Sequence, residues 1–453
     1  MTAQSEPRRV AIACQGGGSH TAFTAGVLSR LLQPDVMAGH RVVGVSGTSG
    51  GAICALLAWS ALIDDDPPRA ADLLAKFWAD NSASTPAEQI VNTWMLWAAQ
   101  LSHYVVTPSV SPYDNYASVL TMDHLRSLLE KYVDFDRVGR SATDVTGAGA
   151  LHPVLLLGAV DVMSGEFKAF DSRAGEITAD AVLASAAIPT LFRSVRMDSG
   201  VYWDGLFSQN PPVRELLDTD PDEIWVIQIN PKEMPAEPTS LVEIADRRNE
   251  LAGNLSLLQE LHFIEKIDSL IDSGELVGKT YRPVIIRVIE MVRSKQSQAW
   301  GAASKLNRDP AFLDGLIEHG KARAEQFVTA LAFEKAWRSA DRDRMVGFFA
   351  DDAEISSTAP FAERPTERGT DAVPRFIDNW LAAGLRVDPT RKQIAGDTVT
   401  WRVRSSKANP GERKVGSAQA RFVDGHVGER TVGSAQARFV DGHVVSFRLG
   451  PVR

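Results

Sequence analysis

The sequence predicts an α/β fold for the larger first part of the chain and an α+β fold for the remainder. In the first part, short apolar runs of strand character alternate with helical patterns, as in a mainly parallel sheet covered by helices. The pattern changes near Val328, where an amphipathic helix precedes several strands with alternating side chains. We therefore expect one domain over residues 1–328, with 240–328 as its helical extension, and a second domain over 329–453.

The elements of the first domain follow from local patterns. Buried apolar runs predict strands at 10–14, 41–45, 153–160, 166–170 and 223–229, and the fourth is expected to pair with the third. Helical patterns occupy 22–28 and 52–59, directly after the first two strands, and also the long stretch 244–271. A further helix should begin at Pro310, because Asp309 can cap it and proline suits a first helical turn.

Composition limits the classes of function. The 453 residues carry a net charge of -9, which argues against nucleic acid as a partner and against attraction to anionic membranes. The two cysteines, Cys14 and Cys54, lie in apolar segments and are expected to be reduced core residues. The polar N-terminus does not resemble a signal peptide, and the longest apolar run, 52–63, is too short to span a bilayer. We expect a cytoplasmic protein, with peripheral membrane contact as an alternative.

The segment from Gly47 to Gly51 has the pattern G-x-S-x-G around Ser49. A serine on a tight strand-to-helix turn adopts a strained backbone angle, so it needs small neighbours such as Gly47 and Gly51. Ser49 would then lie at a helix N-terminus, where the helix dipole favours developing negative charge. The motif predicts a nucleophile, although an ordinary glycine-rich turn between a strand and a helix is an alternative.

The glycine triplet Gly16, Gly17 and Gly18 follows the first strand and precedes the first helix. Glycines in this position let backbone N–H groups approach a ligand. A phosphate-binding P-loop would need a lysine, which the segment lacks, and a dinucleotide fingerprint would need glycine where this chain has Thr21. An oxyanion hole needs only convergent N–H groups, so we expect the triplet and Gly50 to form one.

The predicted base is Asp204, in the pair Asp204-Gly205. A Ser-His-Asp triad of the α/β-hydrolase type would need a histidine further along the chain, but the histidines there are poor candidates. Two of them lie in helical patterns and two in a duplicated segment; they are His262, His319, His426 and His443. The sequence therefore favours a serine esterase that uses an aspartate and no histidine.

These motifs resemble the patatin-like phospholipase family over about residues 1–325. Two further blocks support the resemblance, residues 184–192 ahead of the aspartate and 210–212 after it. The resemblance implies a three-layer α/β/α domain and a lipid acyl hydrolase, a carboxylic ester hydrolase that needs neither cofactor nor metal. Ser49 would be its nucleophile and Asp204 its base. A non-catalytic lipid-binding or scaffolding protein on the same fold is the alternative.

The chain departs from the family pattern at three positions near the motifs. His20 and Thr21 stand where the family usually has Arg or Lys and then Gly, and Leu206 stands where it usually has Gly or Ala. A relative could bind an anionic head group at the first two positions.

An apolar, aromatic segment at 90–97 lies between the motif blocks. A core helix is the favoured interpretation, and a lid or interfacial helix that contacts lipid is the alternative, because indoles suit the headgroup boundary. Four aromatic or imidazole side chains follow it and could line an acyl pocket or merely pack; they are His103, Tyr104, Tyr113 and Tyr116.

The C-terminal part resembles the NTF2-like (SnoaL-like) superfamily, chiefly through residues 348–353. The resemblance implies a cone-shaped α+β domain, in which Asp351 and Asp352 would be helix-end or turn residues, and a homodimer joined through residues 330–453. Residues 411–427 recur as 428–444, differing only at Lys414 against Thr431, which indicates a recent tandem duplication. One copy should belong to the sheet and the other should extend its edge or form a loop.

Overall fold

The computed structural model describes most of the chain in eleven segments. They are residues 7–101, 110–140, 152–234, 236–277, 282–292, 302–357, 364–369, 371–395, 398–405, 430–440 and 443–450. The chain divides into two compact units, Met1–Ala324 and Glu325–Arg453. No helix in these segments is both long enough and apolar enough to cross a membrane.

The helices of the first unit are α1 (Ala22–Leu31), α2 (Pro34–Met37), α3 (Gly50–Ile63), α4 (Arg69–Asn81), α5 (Pro86–Leu101), α6 (Tyr116–Tyr132), α7 (Phe135–Arg140), α8 (Ala179–Ser185) and α9 (Leu241–Asp272). The next helix, α10 (Pro310–Ser339), runs through the boundary between the units. It begins as the sequence predicts, because the side chain of Asp309 accepts the N–H of Phe312 at 2.9 Å.

The strands of the first unit are β1 (Arg8–Cys14), β2 (His40–Gly47), β3 (Val154–Asp161), β4 (Phe167–Asp171), β5 (Val195–Met197), β6 (Gly200–Asp204), β7 (Glu223–Gln228) and β8 (Ile285–Glu290). They form one sheet in the order β5-β6-β3-β2-β1-β7-β8, with β4 also paired to β3. The neighbouring strands β3, β2, β1, β7 and β8 are parallel to one another. Strands β4, β5 and β6 pair antiparallel with their neighbours. The predicted, mainly parallel sheet is confirmed, with an antiparallel edge.

Helices cover both faces of this sheet, which confirms the three-layer α/β/α arrangement. On one face, α9 buries Leu257, Leu261 and Ile264 in the same apolar cluster as Ala11 of β1 and Ile224 of β7. On the other face, α3 packs along β1, β2 and β3. Nearly every residue of α3 is buried, because its sequence is apolar all round.

Helices α1 and α10 cross closely at two glycines. A side-chain carbon at Gly26 would collide with the carbonyl of Ile317, and one at Gly320 would collide with the carbonyl of Phe23. Phe23 also packs edge-on against His319, with ring centroids 5.2 Å apart. The first half of α10 is therefore an integral part of the first unit.

Residues 90–97 are helical, but the expectation that this helix buries its large apolar side chains in the core is wrong. The side chain of Trp94 is 65% exposed and that of Trp97 is 58% exposed. Asn92 is buried instead, because its amide donates to the side chain of Asn307 at 3.0 Å and accepts the N–H of Arg308 at 2.9 Å. These polar contacts turn the Asn92 side of α5 inward and leave the indoles outward.

The second unit contains the remainder of α10, two short helices and a second sheet. Its helices are α11 (Arg342–Gly347) and α12 (Ala372–Ala382), and its strands are β9 (Phe349–Ser357), β10 (Arg364–Arg368), β11 (Leu385–Ala395), β12 (Thr398–Ser405), β13 (Arg430–Val440) and β14 (His443–Gly450). The six strands have the order β10-β9-β14-β13-β12-β11. This α+β composition agrees with the predicted fold class.

Aromatic side chains fill the interior of the second unit. Phe447 of β14 stacks on Trp337 with centroids 5.4 Å apart, and Phe333 stacks on Trp401 at 5.2 Å. The indole of Trp401 also donates to the buried carboxyl group of Glu334 at 2.9 Å. Large rings thus occupy the space between the helices and the sheet.

One expectation for the second unit is modified. Asp351 and Asp352 are exposed residues of β9 and not of a turn or a helix end; they lie between Phe349 and Glu354, where the pairing of β9 with β14 shifts register. The first copy of the duplication, 411–427, lies outside the described residues. The second copy contributes β13 and the start of β14, which are interior strands of the sheet.

Candidate active site

Ser49 occupies the sharp turn between β2 and α3, as the motif predicts. Its backbone angles are φ 58° and ψ -131°, a strained combination for a residue with a side chain. The carbonyl oxygen and the Oγ of Ser185 both accept the N–H of Ser49, each at 3.1 Å. We call this turn, residues 47–51, the elbow. A side-chain carbon at Gly51 would collide with the carbonyl of Cys14, so only glycine fits at this position of the elbow.

Asp204 is fully buried at the end of β6, beside the elbow. Its backbone N–H donates to the carbonyl of Ala187 at 3.0 Å, and its Oδ1 accepts the N–H of Leu206 at 2.8 Å. Burial raises the pKa of the Asp204 carboxyl to about 7, although hydrogen bonds from the Ser49 side chain and from the Leu206 backbone favour the charged form. The following Gly205 leaves no room for a side chain, since a Cβ would lie 2.6 Å from the carbonyl oxygen of Gly158.

The two predicted catalytic side chains interact directly, but loosely. The Ser49 hydroxyl is close enough to lower the pKa of Asp204, yet Oδ2 of Asp204 is buried without a well-formed hydrogen bond to any described residue. Catalytic hydrogen bonds are often long in unliganded enzymes and tighten when substrate binds. The arrangement can therefore transfer a proton from the serine to the aspartate during an attack.

The glycine triplet lies against the elbow, where an oxyanion hole is expected. A side-chain carbon at Gly16 would lie 2.9 Å from the Cβ of Ser49. The N–H groups of Gly17, Gly18 and Gly50 have no hydrogen-bond acceptor within the described part of the chain, so they are available to a ligand. Gly18 has φ +58°, a left-handed conformation that favours glycine.

Gly16 has a different role from the one the sequence suggested. Its N–H donates to Oδ1 of Asn210 at 2.8 Å, so it is already occupied and cannot also bind an oxyanion. This bond connects the loop that contains Gly16, Gly17 and Gly18, called here the glycine loop, to the segment that follows Asp204. A second bond ties the same segment to the elbow, because the Oγ1 of Thr48 donates to the carbonyl of Gln209 at 2.7 Å.

Ser185, Gln209 and Asn210 support the site and were not assigned roles from the sequence. Oγ of Ser185 accepts from Ser49 and donates to the carbonyl of Gly158 at 2.7 Å, which connects the elbow to β3. The sequence signals for Ser185 and Asn210 are the blocks 184–192 and 210–212, which support the family resemblance, whereas Gln209 lies in neither block. Their contacts depend on residues more than a hundred positions away for Ser185 and Asn210, and no local pattern reveals such contacts.

The positions that depart from the family pattern lie inside the structure. His20 is buried, and its Nε2 is 2.8 Å from the Oγ of Ser304. The hydroxyl of Thr21 donates to the carbonyl of Gly18 at 2.6 Å and so holds the glycine loop in shape. Both side chains stabilise the loop from within, where they do not offer a surface to a head group.

The remaining aromatic candidates that the structure describes have no contact with Ser49 or Asp204 among the hydrogen bonds of the site. His103 and Tyr104 lie outside the described residues. Tyr113 is exposed, with its hydroxyl 2.8 Å from the Oγ of Ser194, and Tyr116 is exposed at the start of α6. Both cysteines are free and buried, as expected. Within the described segments, no group of three or more His, Cys, Asp or Glu side chains is placed to hold a metal ion.

Comparison with known proteins separates the two parts of the chain. The family model for the patatin-like phospholipases matches residues 12–217. The other part of the chain is similar to small solved structures, each covering 27% to 28% of this chain. No protein in the curated set that was compared matches the sequence.

Three of these structures illustrate the similarity. An NTF2-like protein of unknown function from Cytophaga hutchinsonii is 10% identical, with 88% of that chain covered and a TM-score of 0.19. One from Burkholderia pseudomallei is 18% identical, with 89% covered and a TM-score of 0.20. A hypothetical protein with a ketosteroid isomerase-like fold from Catenulispora acidiphila is 18% identical, with 85% covered and a TM-score of 0.21.

The matched region contains the elbow, the glycine triplet and Asp204, which the structure brings together. The family supports a lipid hydrolase as the kind of enzyme. Residues 12–217 of this chain are therefore similar to the patatin-like phospholipases.

Proposed function

We propose that this protein hydrolyses fatty-acyl esters through an acyl-enzyme on Ser49, with Asp204 as the base and no histidine. The observation that carries this proposal is the pairing of a serine in a strained backbone conformation with a fully buried carboxyl group whose pKa is raised to about 7. A carboxyl group with its usual pKa would be a weak base at neutral pH, whereas a pKa near the working pH is best suited to proton transfer.

In the first half of the reaction, Asp204 accepts the hydroxyl proton of Ser49 while the Oγ attacks the ester carbonyl carbon. The N–H groups of Gly17, Gly18 and Gly50 donate to the oxyanion that develops on the carbonyl oxygen. Removing one such donor from an enzyme typically costs about a hundredfold or more in rate. Collapse of the intermediate passes the proton from Asp204 to the leaving alcohol and leaves the acyl group on Ser49.

In the second half, Asp204 takes a proton from a water molecule that attacks the acyl-enzyme. The same three N–H groups bind the new oxyanion, and the intermediate breaks its bond to Ser49. The serine oxygen regains its proton from Asp204, and the fatty acid leaves. Every proton removed by the carboxylate is returned within the cycle, so no cofactor is required.

The test compares hydrolysis of p-nitrophenyl butyrate by the parent chain and by Ser49→Ala and Asp204→Asn. We expect both substitutions to lower kcat by at least about a thousandfold, as for other nucleophile and base deletions. Ser60→Ala is the matched control, because Ser60 lies on α3 with its hydroxyl bonded to the carbonyl of Leu57 and has no part in the chemistry.

Labelling with a fluorophosphonate separates the enzyme from a non-catalytic lipid-binding protein on the same fold. A hydrolase should take up one equivalent of the probe, and Ser49→Ala should take up none. Full esterase activity in Ser49→Ala would disprove the proposed nucleophile. A parent chain that neither hydrolyses the ester nor reacts with the probe would favour the non-catalytic alternative.

A further inference from the structure

A group of large apolar side chains on α5 is exposed to solvent. Between positions 90 and 97 the exposed side chains are those of Ile90, Val91, Trp94, Met95 and Trp97, which are 40% to 71% exposed. Soluble surfaces rarely collect so many large apolar residues in two helical turns, and such groups usually mark a contact site.

Helix α9 has a second exposed apolar row on the side away from the sheet. Its members are spaced three, four or seven residues apart and are Leu241, Ile244, Leu251, Leu255 and Leu258. The opposite side of α9 is buried in the core through Leu257 and Leu261. The exposed Arg248 also lies in this outer row, four residues after Ile244, so the outer side of α9 is mixed in character and α5 carries the uniformly apolar face.

A short connecting segment joins both helices to the candidate active site. A 3-10 helix at Ala302–Leu306 packs against the glycine loop, where the carbonyl of Lys305 occupies the space that a side chain on Gly18 would need. The ammonium group of Lys305 also pairs with Asp246 of α9 at 3.7 Å. Residues 307 and 308, which follow the 3-10 helix, hold Asn92 of α5. Asn92, on the side of α5 away from its exposed apolar group, thus connects this helix to the segment that covers the glycine loop.

The charges on this surface favour an uncharged partner. The stretch of α5 from Gln89 to Gln100 contains no charged residue. Lys305, in the connecting segment, forms ion pairs with Asp246 and Glu250, at 3.7 Å and 3.9 Å. The chain as a whole carries a net charge of -9, which would repel an anionic membrane.

We propose that the outer face of α5, formed by Ile90, Val91, Trp94, Met95 and Trp97 and called here the docking face, inserts into the headgroup region of an uncharged lipid surface and so delivers an acyl ester to Ser49. The proposal rests on the proposed function, because it explains how a lipid substrate would reach that site. Tryptophan is suited to this position, since its ring is apolar while its N–H can contact water or headgroups.

The experiment measures binding without hydrolysis. Full-length Ser49→Ala protein is mixed with unilamellar phosphatidylcholine vesicles, and the bound fraction is measured by flotation. Adding Trp94→Gln and Trp97→Gln together should weaken binding about tenfold or more, because two exposed indoles no longer enter the interface. Raising the salt concentration should leave binding unchanged, since no charge attraction is involved.

Val277→Gln is the matched control. Val277 is 87% exposed and follows the C-terminal end of α9. Its substitution removes an equally exposed apolar side chain outside the docking face, so vesicle binding should not change. Equal losses in the control and in the double tryptophan variant would show non-specific adsorption and overturn the proposal.

Three other results would also overturn it. These are the absence of binding to phosphatidylcholine vesicles, binding that requires added phosphatidylglycerol, and a dimer that the tryptophan substitutions dissociate in light scattering. None of them would bear on the chemistry of Ser49, which is measured with a soluble ester. Conversely, vesicle binding by a protein that hydrolyses no ester would contradict the proposed function and leave the docking face intact.

Discussion

At the scale of single residues, the central feature is a carboxyl group whose environment changes its acidity. Asp204 is fully buried beside Ser49, and this burial raises its pKa to about 7. The sequence identified Asp204 from the Asp-Gly pair, but its pKa could not be predicted from the sequence. Desolvation depends on how β6, the elbow and the neighbouring loops close around the side chain, and no local pattern encodes that closure.

The raised pKa makes a specific prediction for the pH dependence of the reaction. Because the base must be deprotonated, kcat/KM should increase with pH up to about 7 and level off above it. The measurement is a pH-stat titration with a short-chain glyceride, a substrate that does not itself ionise. A profile that is level from about pH 5 to about pH 9 would contradict Asp204 as the base.

Ser185 offers a second prediction, with an unusually close control. Ser185→Ala removes the Oγ that accepts the N–H of Ser49, so the strained elbow should relax and kcat/KM should fall by about tenfold. Ser208 is also buried and donates its hydroxyl to a carbonyl of β3, that of Ala159 at 2.9 Å, but it does not contact Ser49.

Ser208→Ala should therefore lower the melting temperature about as much as Ser185→Ala does, whereas its esterase rate should stay at that of the parent chain. Equal rate losses in the two variants would mean that Ser185 contributes only to general stability.

At the scale of elements, the sequence predicted the strands and helices of the first domain but not their surroundings. The apolar runs locate β1, β2, β3 and β7 because central strands of a parallel sheet are buried on both faces. Apolarity alone failed for α5, because the same residue types serve a core and an exposed face. The contacts of Asn92 with residues 307 and 308 decide which side of α5 is inward, and these contacts span more than two hundred positions.

The crossing of α1 and α10 predicts opposite effects for two glycines on one helix. Gly320→Ala would place a carbon against the carbonyl of Phe23, so the free energy of unfolding should fall by about 1–3 kcal/mol. Gly315, also on α10, has open space around it, so Gly315→Ala should raise the same quantity by about 0.5–1 kcal/mol. Urea titrations of both variants measure the two values, and a stabilised Gly320→Ala would contradict the close crossing.

At the scale of the whole molecule, the chain combines a patatin-like unit with an α+β unit whose interior is filled by aromatic rings. The candidate site is built entirely from residues of the first unit. The second unit therefore has no residue in the proposed chemistry, and a role in assembly remains the proposal for it. The change in composition near Val328 predicts where the second unit begins. The two copies of the duplication are nearly identical, so the sequence does not indicate which copy enters the sheet.

We predict that the full chain is a homodimer joined through residues 330–453, because an open sheet edge offers backbone groups that a second copy can pair with. A chain that ends at Val328 retains the part of α10 that packs on α1, so it should fold, be monomeric in light scattering and keep its esterase rate. A truncated chain that stays dimeric, or a full chain that is monomeric at micromolar concentration, would show that the second unit does not mediate assembly.

The account depends most on a covalent intermediate at Ser49. The most direct measurement is to mix the protein with p-nitrophenyl butyrate, quench with acid during turnover and locate the acyl group by peptide mass spectrometry. We predict a butyryl ester on Ser49 in the parent chain and none in Ser49→Ala. Turnover without any acylated Ser49, or an acyl group on another residue, would contradict the mechanism.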